Sequence, residues 1–164
     1  MPFATGPQLS YVGLGRYKTV GSTLYVGRRD VILIPDAFTT DLASVPRIFW
    51  SLLPPCGAYE RSAVLHDFLC EALAGRQSMP DPLLSPSDVD GLFRRVMREC
   101  GVGLLTRWAM WTGVRWGALF NPHRRAGWLR DAPAVVAMTA LGLAAACVVT
   151  YGVDHAVHAA IRAL

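Results

Sequence analysis

From Ala132 to Val153 the chain reads APAVVAMTALGLAAACVVTYGV, 22 residues without a charged side chain. At about 1.5 Å of rise per residue, a helix over this run is about 33 Å long, enough to cross a hydrocarbon core of about 30 Å. The alternative is an Ala-rich helix buried in a globular core, but core helices of small domains seldom run this long. The opening MPFATGPQLS lacks the basic-then-apolar order of a cleaved signal. A single C-terminal transmembrane helix over 132–153 is therefore expected. It also accounts for a chain of 164 residues with 52% hydrophobic but only 17% charged residues, where soluble domains carry about 25% charge.

Flanking charge orients that helix. Arg124, Arg125 and Arg130 precede it; Asp154, two histidines and Arg162 follow it. The positive-inside rule then puts the N-terminal domain in the cytoplasm, with 122–131 as a basic juxtamembrane collar and 154–164 as a short outer tail. The net charge of +4 is explained by this collar. No basic helix or Arg-aromatic alternation points to base reading, so the expected partner is the lipid bilayer and not nucleic acid. The four cysteines, Cys56, Cys70, Cys100 and Cys147, have no metal-type spacing and are expected as free thiols in a reducing compartment.

The first fifty residues read as β structure. RYKTVGSTLYVG and DVILIPDAF are rich in β-branched and aromatic residues, and Gly27-Arg28-Arg29 between them suits a hairpin turn. Pro35 ends the second strand or holds it at an edge. A Pro-punctuated loop follows, then three helices at about 58–74, 86–100 and 104–120. The second has the clearest bounds: Ser85 as N-cap, Pro86 in the first turn, Asp88 closing a capping box and Gly101 past the end. The third carries Trp108, Trp111 and Trp116, which suit either an aromatic belt at lipid headgroups or the domain core. The expected fold class is α+β: a short antiparallel β-hairpin region, three helices and one C-terminal transmembrane helix, with residues 1–121 as the domain.

The candidate site is the His66-Asp67 pair in YERSAVLHDFLCEAL. Helical spacing puts His66 on the packed face with Ala63, Cys70 and Leu73, and turns Asp67 about 100° away. On the next helix Asp90 aligns with Phe93 and Met97 and borders the buried stripe. A carboxylate there needs a partner, and His66 is the candidate if the two helices pack antiparallel. Two uses are open. Asp90 orients His66 so that its other nitrogen takes a proton from water, while Asp67 binds a cation such as calcium. Otherwise the pair is a buried hydrogen bond tying two helices together. Ser44 in LASVP lacks the Gly-x-Ser-x-Gly elbow of an exposed nucleophile and reads as a turn hydroxyl. No histidine precedes His66, which excludes the metal-dependent phosphohydrolase pattern.

The runs FTTDLASVPRIFW, AVLHDFLC, DVDGLFRRVM and GVRWG together resemble a bacteriophage and prophage family of unknown function. That family is marked by Thr-Asp-X-Ala-Ser-Val-Pro-Arg, then His-Asp, then Asp-x-x-Phe-x-x-x-Met. The resemblance covers about residues 15–120. It implies a phage or prophage origin, hence a bacterial inner membrane. More loosely, the helix pair is similar to the prokaryotic and fungal phospholipase A-two type. This second likeness implies His66 as general base, Asp90 as its partner and Asp67 as calcium ligand, with Phe93, Met97 and Cys100 behind. The chain departs from that type in two places: TTDLASVPR has no glycine to offer calcium its carbonyls, and Cys70 stands where a tyrosine is usual. Asp41 is the residue available to replace the missing loop ligands, or else it pairs with Arg47 or caps a turn. Two functions follow as expectations. One is a non-catalytic membrane protein that binds a phage or host protein in assembly, lysis or exclusion; the other is a membrane-surface phospholipid hydrolase.

Overall fold

A computed structural model describes residues 3–4, 6–28, 30–42 and 57–162. Five short strands, all antiparallel, precede four helices, which is the α+β class expected. Strands β1 (Gln8–Gly13) and β2 (Arg16–Val20) form a hairpin around Leu14 and Gly15, both at positive φ. Strands β3 (Thr23–Val26) and β4 (Val31–Ile34) form a second hairpin, with Thr23 opposite Ile34 and Val26 opposite Val31. The two-residue strand β5 (Thr39–Thr40) pairs with β2.

Alternation along β3 and β4 decides which side faces inward. Thr23, Tyr25, Ile32 and Ile34 are buried while Val26, Val31 and Leu33 face outward, the period of two that a pleated strand imposes. Pro35 stops β4. Thr19 closes the corner beyond it: its hydroxyl donates to the Pro35 carbonyl (2.9 Å) and accepts from the Phe38 amide (2.9 Å).

Helix α1 (Glu60–Leu73) lays Val64, Leu65, Phe68 and Leu69 on the inward strand residues, and α2 (Pro86–Glu99) adds Val89, Leu92 and Val96 to the same core. The α2 start is as read from the sequence: Ser85 and Asp88 form a reciprocal capping box and Pro86 sits at the first position. Gly75 and Gly101, both at positive φ, follow the ends of α1 and α2. Arg95 bonds Asp30 and Glu99 accepts from the Tyr25 hydroxyl, tying α2 to the second hairpin.

Helix α3 (Leu104–Phe120) packs on α2, with Met110 beside Phe93, Met97 and Val102. A short turn over 121–127 then sends α4 (Trp128–Arg162) back along α3. Trp111, Ala118, Trp128 and Val135 form the core between them, so Trp111 is a core residue. Trp116 lies against Trp128, the rings tilted by 49° with centroids 5.4 Å apart, and donates to the Thr139 hydroxyl at 3.0 Å. Helix α4 has 35 residues and extends past the expected run at both ends. By length and composition it can cross a membrane. It is not a buried core helix: every described residue from Ala140 to Arg162 is exposed.

Candidate functional site: a buried ionic network

The sequence places a basic or acidic side chain on the inner face of each helix, and packing brings them to one point. His66 from α1 meets Asp90 from α2, with His66 Nε2 at 2.7 Å from Asp90 Oδ1. Asp90 is fully buried and also accepts from two guanidiniums. Arg115 on α3, 0% exposed, donates from Nη1 to Oδ2 at 2.8 Å. Arg124, from the turn before α4, donates from Nη2 to Oδ1 at 2.5 Å. The network continues through Arg115 Nη2, which lies 3.0 Å from Asp131 Oδ2 on α4, and Asp131 accepts from the Ser87 hydroxyl on α2. Trp128 Nε1 donates to the Arg115 carbonyl at 2.7 Å and fixes that turn of α3. One carboxylate thus joins an imidazole and two guanidiniums, and all four helices contribute.

Electrostatics follow from this crowding. Burial opposes ionisation of Asp90, but the hydrogen bond and charge of His66, with Arg124 and Arg115, hold its pKa below the ordinary carboxylate value. For His66, burial opposes the charged ring; the Cys70 sulfur and the Asp90 carboxylate outweigh it and lift the pKa to about 10. The ring is only 5% exposed and lies against Phe93, with centroids 4.6 Å apart. Cys70 Sγ stands 3.6 Å from Nε2 and 3.8 Å from Nδ1.

Asp67, next in the chain, faces another way. It accepts from the hydroxyl of Thr40, which β5 positions beneath α1. Burial and the neighbouring charge of Asp41 raise its pKa to about 7, against the lowering effects of His66 and the Thr40 hydrogen bond. The structure therefore brings His66 to Asp90, and Asp67 to the vicinity of Asp41, as two separate places on α1. Among the described residues no group of three or more His, Cys, Asp or Glu side chains is placed to hold a metal ion. Ser44, Arg47 and Cys56 lie outside the described residues.

Arg115, Arg124 and Asp131 are members of this network that sequence reasoning missed. Arg124 was expected among the headgroup-facing cations, yet its side chain is 12% exposed and turned into the protein. The available signal was Arg115, whose helical neighbours Trp111 and Ala118 are apolar on either side. A cation on a buried stripe demands a carboxylate just as Asp90 demands a cation.

The fold and site define a small α+β domain whose four helices close on a His–Asp–Arg cluster, with a long exposed apolar helix at one end. The chain belongs to the DUF1353 family of proteins of unknown function, whose model matches residues 19–114. No curated protein and no solved structure matches the chain. His66, Asp67 and Asp90 fall inside the family segment, which ends one residue before Arg115; Arg124, Asp131 and α4 follow it.

Proposed function

We propose that this is a phage-encoded protein of the bacterial inner membrane, held by the apolar run of α4 as a single span with its domain in the cytoplasm. The domain acts by binding a phage or host protein and carries out no chemistry of its own. The observation that supports this reading is the closure of the network. His66 uses Nε2 on Asp90, both Asp90 oxygens are taken by guanidiniums, and the ring is almost wholly enclosed. A general base needs a nitrogen within reach of a water or substrate proton. The free nitrogen here, Nδ1, has the Cys70 sulfur as its neighbour. A cluster so enclosed acts as a brace that fixes the relative positions of four helices, and a rigid domain presents a fixed surface to a partner. The three arginines before the apolar run and the mostly acidic or neutral side chains after it support the cytoplasmic placement.

The second reading, a phospholipid ester hydrolase, is favoured by one observation, the 2.7 Å approach of His66 to Asp90. It would use His66 as base, Asp90 as its orienting partner, and Asp67 with Asp41 as calcium ligands. The full-length protein in phospholipid vesicles, with and without calcium, separates the two. We expect no fatty-acid release above background from either the wild type or His66→Gln. Release by the wild type that falls at least about 100-fold in a folded His66→Gln variant would establish the hydrolase.

A further inference from the structure

The apolar run and the domain do not meet where the charge pattern puts them. Helix α4 is packed on α3 through Thr139, with Val135 fully buried, and emerges on all sides only from Ala140. From Ala140 to Val153, before Asp154, a helix rises only about 21 Å, roughly 9 Å short of a hydrocarbon core of about 30 Å. The missing length lies in the turns that still touch α3, so the end of the domain beside those turns must enter the membrane surface. That end is the start of α3. The turn over 121–127 returns α4 along α3, with Asp131 at Arg115 and Thr139 at Trp116, so the residues from Ala140 on run out toward and past the start of α3.

This end is built for a lipid surface. Leu104 is 59% and Leu105 84% exposed. Beside them is a groove of about 480 Å³, lined by Arg94, Arg95, Arg98, Arg107, Leu104 and Trp108. Arg95 is occupied by Asp30. Among the described residues, Arg94, Arg98 and Arg107 have no carboxylate within ion-pair distance. Burial and the like charges of Arg107 and Arg98 pull the Arg94 pKa below its ordinary value. Arg94 is held in place over Trp108, 4.0 Å from the ring centroid.

We propose that the N-terminal end of α3 is a lipid-docking surface: Leu104 and Leu105 enter the acyl boundary, and Arg94, Arg98 and Arg107 bind the phosphates of anionic phospholipids. Insertion of an apolar edge by about 5–10 Å matches the missing span. The 122–131 segment then sits at the far end of the α3–α4 pair, away from the bilayer, and the cations at the headgroups are those of the groove. This rests on the reading of α4 as a membrane span.

Amide hydrogen exchange of the full-length protein in lipid nanodiscs tests it. The first amides of α3, at Leu104, Leu105 and Thr106, have no helical carbonyl to bond, so their exchange reports what covers them. We expect exchange over 104–106 to be at least about tenfold slower in phosphatidylglycerol than in phosphatidylcholine nanodiscs, and exchange over 122–127 to be the same in both. The double substitution Arg98→Gln, Arg107→Gln should abolish the difference while leaving 142–152 protected. Equal exchange over 104–106 in both lipids, or lipid-dependent slowing over 122–127 instead, with 142–152 still protected, would overturn the docking surface but leave the anchor standing. Fast exchange over 142–152 in both lipids would overturn anchor and docking surface together.

Discussion

Asp90→Asn is expected to destabilise the domain by about 3–5 kcal/mol, the usual result of removing one charge from a buried, hydrogen-bonded ion cluster. Asparagine keeps the shape of the side chain and removes the charge. What remains is Arg115, with no exposed surface, together with a nearly enclosed Arg124 and His66. Asp131 reaches Arg115 only through Nη2 and cannot compensate both guanidiniums. His66→Gln should cost less, because Asp90 keeps both arginines. Urea unfolding in detergent micelles checks the order. A change within about 0.5 kcal/mol, the range of ordinary surface substitutions, would mean that the cluster does not brace the helices.

Leu143→Arg is expected to remove most of the protein from the membrane. Leu143 is exposed in the middle of the apolar run, where arginine costs about 2.5–3.5 kcal/mol of insertion free energy. That corresponds to roughly a hundredfold shift between inserted and non-inserted chains. The same change at Leu83, an exposed leucine in the turn before α2, should leave partition unaltered. Alkaline carbonate extraction of membranes from expressing cells gives both fractions. Release of the wild-type chain by carbonate would show that α4 lies on or outside the bilayer, and full retention of the Leu143→Arg chain would contradict the insertion cost at this position.

Much of the architecture was legible because it is locally encoded. The capping box at Ser85 and Asp88, the glycines after α1 and α2, and the helical spacing of Val89, Leu92, Phe93, Val96 and Met97 each act within a few residues. The His66–Asp90 pair was legible for a different reason, since a carboxylate beside a buried stripe has few ways to be satisfied. The β1–β2 hairpin was not legible: its turn uses Leu14 at positive φ, a conformation that leucine sequence preference argues against. Strand β5 has two residues and exists only through pairing with β2. Arg124 read as a membrane-facing cation because charge patterning counts residues without direction, while the turn from α3 to α4 aims this side chain at Asp90. The Arg94–Trp108 groove was hidden for a similar reason: its residues come from α2 and α3 and form a basic surface only after the helices pack.

The ionisation of His66 tests the central claim, a sealed imidazole locked onto Asp90. Its folded pKa is raised above the unfolded value of about 6.5. Its contribution to stability is therefore complete below about pH 6.5 and is lost as pH rises toward about 10. Nitrogen NMR of the full-length protein labelled at its four histidines, with His66→Gln to assign the signal, reads the ring directly. The expected result is a slowly exchanging Nε2 proton on His66 and no titration of that ring between pH 6 and 8. A His66 ring that titrates near pH 6.5 with a fast-exchanging proton would contradict a closed brace and restore an accessible base.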